Sequence, residues 1–126
     1  MPRPELAVGI GLRPGTTADA ILVAIRNAVG DREIRCLATV ERRVGEPGIR
    51  AAADRLGVEL VGFTLTELEA VSVPNPSERV ALAVGSASVA EAAAVLAGGS
   101  GNLVIAKTVF AGVVIAAAEF NSSSQI

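Results

Sequence analysis

Apolar and polar positions follow one another along this chain in short blocks whose period switches between that of a strand and that of a helix. Leu6-Ala7-Val8-Gly9-Ile10-Gly11 is a continuous apolar run stopped by glycine and then by Arg13-Pro14-Gly15, which predicts a buried strand. Ala18, Ile21, Leu22, Ile25, Ala28 and Val29 then recur at helical spacing, with Gly30 where a helix C-cap is wanted. The unit repeats. Ile34 to Val40 is rich in strand formers, and Pro47 opens a helix with inner face Ile49, Ala52, Ala53 and Leu56, closed by Gly57. Val58 to Phe63 reads as a third strand, and Thr64-Leu65-Thr66-Glu67 has the capping-box pattern for a short helix to about Val71.

The two prolines of Val73-Pro74-Asn75-Pro76 force an extended or turning path, because the residue before each is pushed out of helical geometry. Beyond them two patterns stand side by side. Asn75, Pro76 and Glu78 suit the start of a short helix ending at Val84, while the alternation of Val80, Leu82 and Val84 suits a strand. Ser88-Val89-Ala90-Glu91 repeats the capping box and predicts an Ala-rich helix to Ala97, ended by Gly98-Gly99-Ser100-Gly101. Leu103 to Lys107 and Val113 to Glu119 read as neighbouring strands around a turn at Phe110-Ala111-Gly112. Strands alternating with helices predict an α/β fold: a three-layer α/β/α domain with a mixed, mostly parallel central sheet of about five strands. Residues 1–120 form one expected domain, with 121–126 a flexible tail.

Composition narrows the chemistry. The 126 residues suit one core, and apolar residues are 51% of the chain with Phe63, Phe110 and Phe120 as the only aromatics, so the core must be built from small aliphatics. A mean hydropathy of +0.52 suggests that part of the surface is covered, and a homo-oligomer is one expected way to cover it. With 11 basic and 13 acidic residues there is no global attraction to phosphate backbones, and nucleic acid is not an expected partner. The longest apolar stretch, Val109 to Ala118, is too short to span a bilayer and reads as a buried strand, so no membrane partner is expected. The first residues lack an apolar run followed by a small-residue cleavage site, from which a cytoplasmic address is expected. Cys36 is the lone cysteine and histidine is absent, which removes an intrachain disulfide, zinc sites and His-based nucleophilic catalysis. No metal or cofactor is expected; carboxylates, hydroxyls, lysine and backbone amides are the tools left.

In sheets of this class ligands sit beyond the carboxyl ends of strands, where this chain is rich in glycine and hydroxyls. Gly9-Ile10-Gly11-Leu12-Arg13-Pro14-Gly15-Thr16-Thr17 fails as a dinucleotide fingerprint, since Pro14 offers no N–H, and fails as a Walker loop, since no lysine precedes the hydroxyl. What survives is backbone approach at Gly11 and Gly15, helix capping by Thr16, and an anion grip by Arg13; a tight turn with a solvated arginine explains the segment equally well. The second loop, Thr39 to Gly48, offers Glu41 and Glu46 as candidate general bases, against the plainer reading of a solvated charged face. Gly85-Ser86-Ala87-Ser88 forms a candidate anion cradle, although capping alone accounts for Ser88 and Glu91. Lys107 stands at a predicted strand end, either in reach of these loops or as an ordinary surface charge.

In order along the chain, Gly9-Ile10-Gly11 with Arg13 and Gly15-Thr16, Ala38-Thr39 with Glu46-Pro47-Gly48, Val73-Pro74-Asn75-Pro76-Ser77, Val84-Gly85, Ser88-Val89-Ala90-Glu91-Ala92-Ala93-Ala94 and Lys107 resemble one family. It is the C-terminal domain of the cobalamin-biosynthesis protein CbiG, which also occurs alone as CobE. The resemblance runs from about Leu6 to Glu119 and departs from the family pattern at Leu12, Pro14 and Arg43. It implies an α/β fold and a role in building the corrin ring of vitamin B12. In the full-length relative the implied reaction is hydrolytic opening of the ring-A lactone of cobalt-precorrin-5A with loss of acetaldehyde; this chain corresponds to the C-terminal domain alone. Corrin intermediates are apolar macrocycles fringed with carboxylates, and a binder needs an apolar floor with several anion contacts. Gly11, Arg13, Gly15, Thr16, Thr39, Asn75, Ser77, Gly85, Ser86, Ser88 and Lys107 are the candidate contacts. The implied partners are a precorrin or corrinoid and, beside it, corrin-pathway enzymes. Three roles stay open: carrier of a precorrin-type intermediate, precorrin lactone or C–C hydrolase, and structural partner of a pathway enzyme.

Overall fold

The computed structural model describes residues 5–70, 87–99 and 102–120. Five strands, β1 (Leu6–Gly11), β2 (Ile34–Val40), β3 (Glu59–Phe63), β4 (Leu103–Phe110) and β5 (Val113–Glu119), form one sheet in the order β3-β2-β1-β5-β4. β1, β2 and β3 pair in parallel, whereas β5 pairs antiparallel with both β1 and β4. Four strands therefore point one way, and the C-terminal strand is inserted between β1 and β4 rather than added at an edge. The expected α/β class, with its mixed sheet, is the one observed.

Local chemistry sets the helices. α1 (Ala18–Val29) buries Ile21, Ala24, Ile25 and Val29 on one stripe, and the Gly30 N–H closes its last turn on the Arg26 carbonyl at 2.9 Å. α2 (Pro47–Leu56) starts on a proline and stops at Gly57, whose left-handed φ of 70° a glycine adopts without Cβ strain. α3 (Leu65–Glu69) has the predicted capping box: Thr64 N–H donates to Glu67 Oε1 at 2.8 Å and Glu67 N–H donates to Thr64 Oγ1 at 3.1 Å. α4 runs from Ala87 to Ala97, which places Ser88 within its first turn. The Asn75-to-Gly85 element, read as either helix or strand, and the 121–126 tail lie outside the described residues.

The two faces of the sheet are packed differently. Leu6, Val8, Ile10, Leu37, Val113 and Ile115 meet α1 and α2 in the larger core. At roughly 1.5–3 kcal/mol for each large aliphatic side chain removed from water, this layer dominates the stability. The other face carries Gly9, Ala38, Ala116 and Ala118, against which the alanines of α4 pack. Here the helix lies so close that a Cβ on Gly9 would run into the Ala90 carbonyl. A core of small aliphatics thus becomes large-on-small: one layer of branched side chains and one of nearly bare backbone.

β4 is longer than predicted, because its pairing with β5 continues three residues past Lys107 to Phe110. A two-residue turn follows, with Ala111 at φ 54° and Gly112 at φ 81°, the positive values that a tight hairpin of this hand needs. The register of β4 slips twice, between Leu103 and Ile105 and between Ile105 and Thr108. At the second slip Ala106 and Lys107 together stand against Ala116, which is a β-bulge.

Candidate functional site

Because α1 and α2 each link one parallel strand to the next, both begin at the carboxyl ends of the strands. α4 joins them there: Val89 near its start packs on Ala38 and Val40 at the end of β2, whereas Gly98 after its end abuts the Glu119 carbonyl at the opposite edge. With α3, which starts directly after β3, four helix N-termini and the loops after β1 and β2 therefore share one edge of the sheet.

The first loop is closed on itself. Arg13 O accepts from Thr16 N at 3.2 Å and from Thr16 Oγ1 at 2.7 Å, and Gly15 takes a φ of 84°. Thr16 is thus a turn residue; the cap of α1 is Thr17, whose Oγ1 accepts from Ala20 N at 3.1 Å. The chain presents two adjacent threonines that both suit a cap, and only the geometry of the turn chooses between them. Arg13 is exposed at the tip, while Gly11 is buried at the end of β1.

The second loop is fastened to the first. Glu46 sits just before α2 but does not cap it; its Oε1 accepts from Gly15 N at 3.0 Å, across 31 residues of sequence, and its Oε2 lies 4.0 Å from Arg43. A few residues on, Gly48 is packed against the Thr16 carbonyl so closely that no Cβ would fit. Both Glu46 oxygens are engaged, which makes it a clamp between the loops rather than a carboxylate poised for proton transfer. Glu41 lies exposed on a single 3-10 turn, Glu41–Arg43. Thr39 is fully buried and its hydroxyl donates to Ile10 O at 2.7 Å, tying β2 to β1 beneath the loops. Cys36, buried in β2, has its thiol pushed up to about 11 by burial, with Glu59 adding to the shift and Arg35 opposing it. Such a thiol is a packing group, not a nucleophile.

Asn75, Ser77, Gly85 and Ser86 lie outside the described residues; Ser88 is placed in the first turn of α4. Lys107 lies within β4 rather than at its end, at the bulge, and its backbone N–H donates to Glu91 Oε2 at 3.0 Å. Glu91 is the residue that pattern reading misjudged. Its carboxyl group is completely buried and reaches across to β4 instead of closing a capping box with Ser88, and its Oε1 has no hydrogen-bond partner among the described residues. A signal existed: α4 is apolar on every side, so an acid in its middle has to be buried. Among the described residues no three acidic or thiol groups gather as a metal site, and no helix is long and apolar enough to cross a membrane.

Fold and loop placement define an open-sheet α/β domain, the class in which ligands sit at the carboxyl ends of strands. The chain belongs to the family described as cobalamin synthesis G C-terminus, whose model matches residues 6–118. It is 32% identical over 111 residues to the cobalt-precorrin-5A hydrolase of Priestia megaterium, covering 83% of this chain but only 30% of that protein. It is also 32% identical over 114 residues to Protein CobE of a Sinorhizobium species, covering 84% of this chain and 74% of the relative. Among solved structures it resembles that of CobE, a protein from the cobalamin (vitamin B12) biosynthetic pathway, with a TM-score of 0.75 and 28% identity over 97% of this chain and 100% of the other. The chain is a cobalamin-biosynthesis family member spanning less than a third of the hydrolase it matches.

Proposed function

We propose that this protein binds and carries a precorrin-type tetrapyrrole intermediate of cobalamin biosynthesis at the carboxyl edge of its sheet. The observation that carries this reading is the state of the two candidate bases. Glu46 is committed to Gly15 N and Arg43, and Glu41 stands exposed, so neither candidate carboxylate is held ready beside an oxyanion grip. What remains near the edge suits recognition of carboxylates: the exposed Arg13 and the N-terminus of α1, with Lys107 further down β4 at the bulge. Each such contact contributes only about 0.3–2 kcal/mol, so several must act together on a ligand fringed with acids. Titration of hydrogenobyrinic acid, followed by absorbance, is expected to saturate with the full chain, and to weaken about tenfold in Arg13→Ala, as loss of one charged hydrogen bond does. No spectral change at high micromolar protein would sink the carrier reading.

A second reading is favoured by the likeness to the Priestia megaterium hydrolase. On that reading the chain opens a precorrin lactone or a C–C bond, with Glu41 or Glu46 as base and Arg13 or Lys107 at the oxyanion. It requires turnover of a lactone-bearing precorrin by the protein alone, and wild-type rates in both Glu41→Gln and Glu46→Gln would exclude these bases. A structural role beside a pathway enzyme would instead appear as a mixed complex in light scattering without corrinoid binding.

A further inference from the structure

The bulge in β4 decides where Lys107 points, and α4 holds the bulge. Leu103 pairs with Ala118 and packs on α4's side of the sheet, while Ile105 pairs with Ala117 and packs on the side of α1. Regular alternation from Ile105 would put Lys107 on the α1 side too, against the larger core. The second register slip changes this. Ala106 and Lys107 stand together opposite Ala116, a residue of the α4 face, and Thr108 resumes pairing with Ile115 of the α1 face. One extra residue therefore turns the lysine toward the face that carries α4, whose first turn opens at the candidate site.

A bulge removes an amide from the ladder, and a buried amide needs an acceptor. Glu91 Oε2 is that acceptor, at 3.0 Å from Lys107 N, and Oε1 makes no hydrogen bond among the described residues. A wholly buried carboxyl group with one oxygen unspent is a costly way to satisfy one N–H, since native proteins leave few such atoms. The hydrogen bond it does make is directed at the residue whose side chain the bulge redirects.

We propose that Glu91 is the positioning residue of the candidate site: by accepting the hydrogen bond of the amide that the bulge frees from the ladder, it fixes Lys107 on the α4 side of the sheet, where the ammonium group grips a ligand carboxylate. This rests on the binding function proposed above, and its experiment separates the two. Hydrogenobyrinic acid is titrated against the full chain carrying Lys107→Ala, Glu91→Ala or both. Each single change is expected to weaken binding about tenfold, and the double variant to bind no worse than Lys107→Ala, because both remove one contact. Glu91→Gln keeps a carbonyl oxygen for the amide and is expected to stay within about threefold of wild type. Losses that multiply in the double variant, wild-type affinity in Glu91→Ala, or a Gln variant as weak as the Ala variant would each overturn the positioning role. The second readout needs no ligand: nuclear Overhauser signals between the Lys107 side chain and α4 should fade in Glu91→Ala and persist in Glu91→Gln. Signals that survive in Glu91→Ala overturn the role too. If Glu91→Ala does not fold, Glu91→Gln, Lys107→Ala and their double variant carry the same comparison, and disappearance of the Lys107 signals in Glu91→Gln is then the overturning result. Wild-type protein that binds no corrinoid would instead overturn the binding function, whatever the Lys107 signals show.

Discussion

Glu46 shows how much a single side chain can settle about a site. With one oxygen on Gly15 N and the other near Arg43, it joins two loops that are far apart in sequence. Glu46→Ala is expected to lower stability by about 1–2 kcal/mol, the usual loss for a hydrogen bond to a charged group, and to raise exchange of the Gly15 amide. Glu46→Gln, which keeps an acceptor, should restore most of that protection; equal exchange in all three proteins would remove the clamp. Cys36 makes a second residue-scale prediction. Its folded value of about 11 lies above its ordinary 9.0, so the folded state holds the thiol proton more tightly than the unfolded chain. The associated stability is complete below about pH 9 and is lost as pH rises toward 11. Chemical denaturation across that window should show a fall of on the order of 2 kcal/mol that Cys36→Ala abolishes. Thiol reagents at pH 8 should leave Cys36 untouched until the protein unfolds.

At the scale of elements, the contact between α4 and the sheet leaves no room for a side chain on the β1 residue beneath it. Gly9 of β1 lies under the Ala90 carbonyl, and a methyl group there cannot be accommodated without lifting the helix. Gly9→Ala is therefore expected to cost roughly 3 kcal/mol or more, seen as a lowered denaturation midpoint, with protection lost first in α4. The same change at Gly15 or Gly30, where an added Cβ has open space, strains only the backbone and should cost less. The β4–β5 hairpin predicts the opposite sign. Ala111 holds φ at 54° against its Cβ, so Ala111→Gly should stabilise the protein by about 1 kcal/mol, and an unchanged melting temperature would contradict it. These two glycine experiments distinguish space from backbone freedom as the reason a position tolerates or rejects a side chain.

For the whole molecule, a net charge of −2 means that an acid-fringed ligand is not drawn in by the overall field. Affinity has to come from local cations, and hydrogenobyrinic acid binding should weaken steadily as salt is raised through the range where the Debye length drops below about 10 Å. Salt-independent binding would point to burial of the macrocycle as the main term. Most individual elements were legible in the chain because their determinants are local. Helical spacing, a Pro start, a glycine stop and a Thr-x-x-Glu box act within a turn or two, so α1, α2, α3 and the parallel strands stand close to where the pattern puts them. The order of the candidate loops also carried the family, since loops follow strands in sequence. Tertiary structure alone decided what depends on which strands become neighbours. Inserting β5 between β1 and β4 set the register of β4, pairing with β5 carried the strand past Lys107 to Phe110, and the bulge in that register bound the Lys107 amide to Glu91. The Glu46–Gly15 clamp and the burial of Thr39 have the same origin. Each is a contact between residues distant in sequence, stabilised only once the sheet has closed, and no periodicity within either segment encodes it.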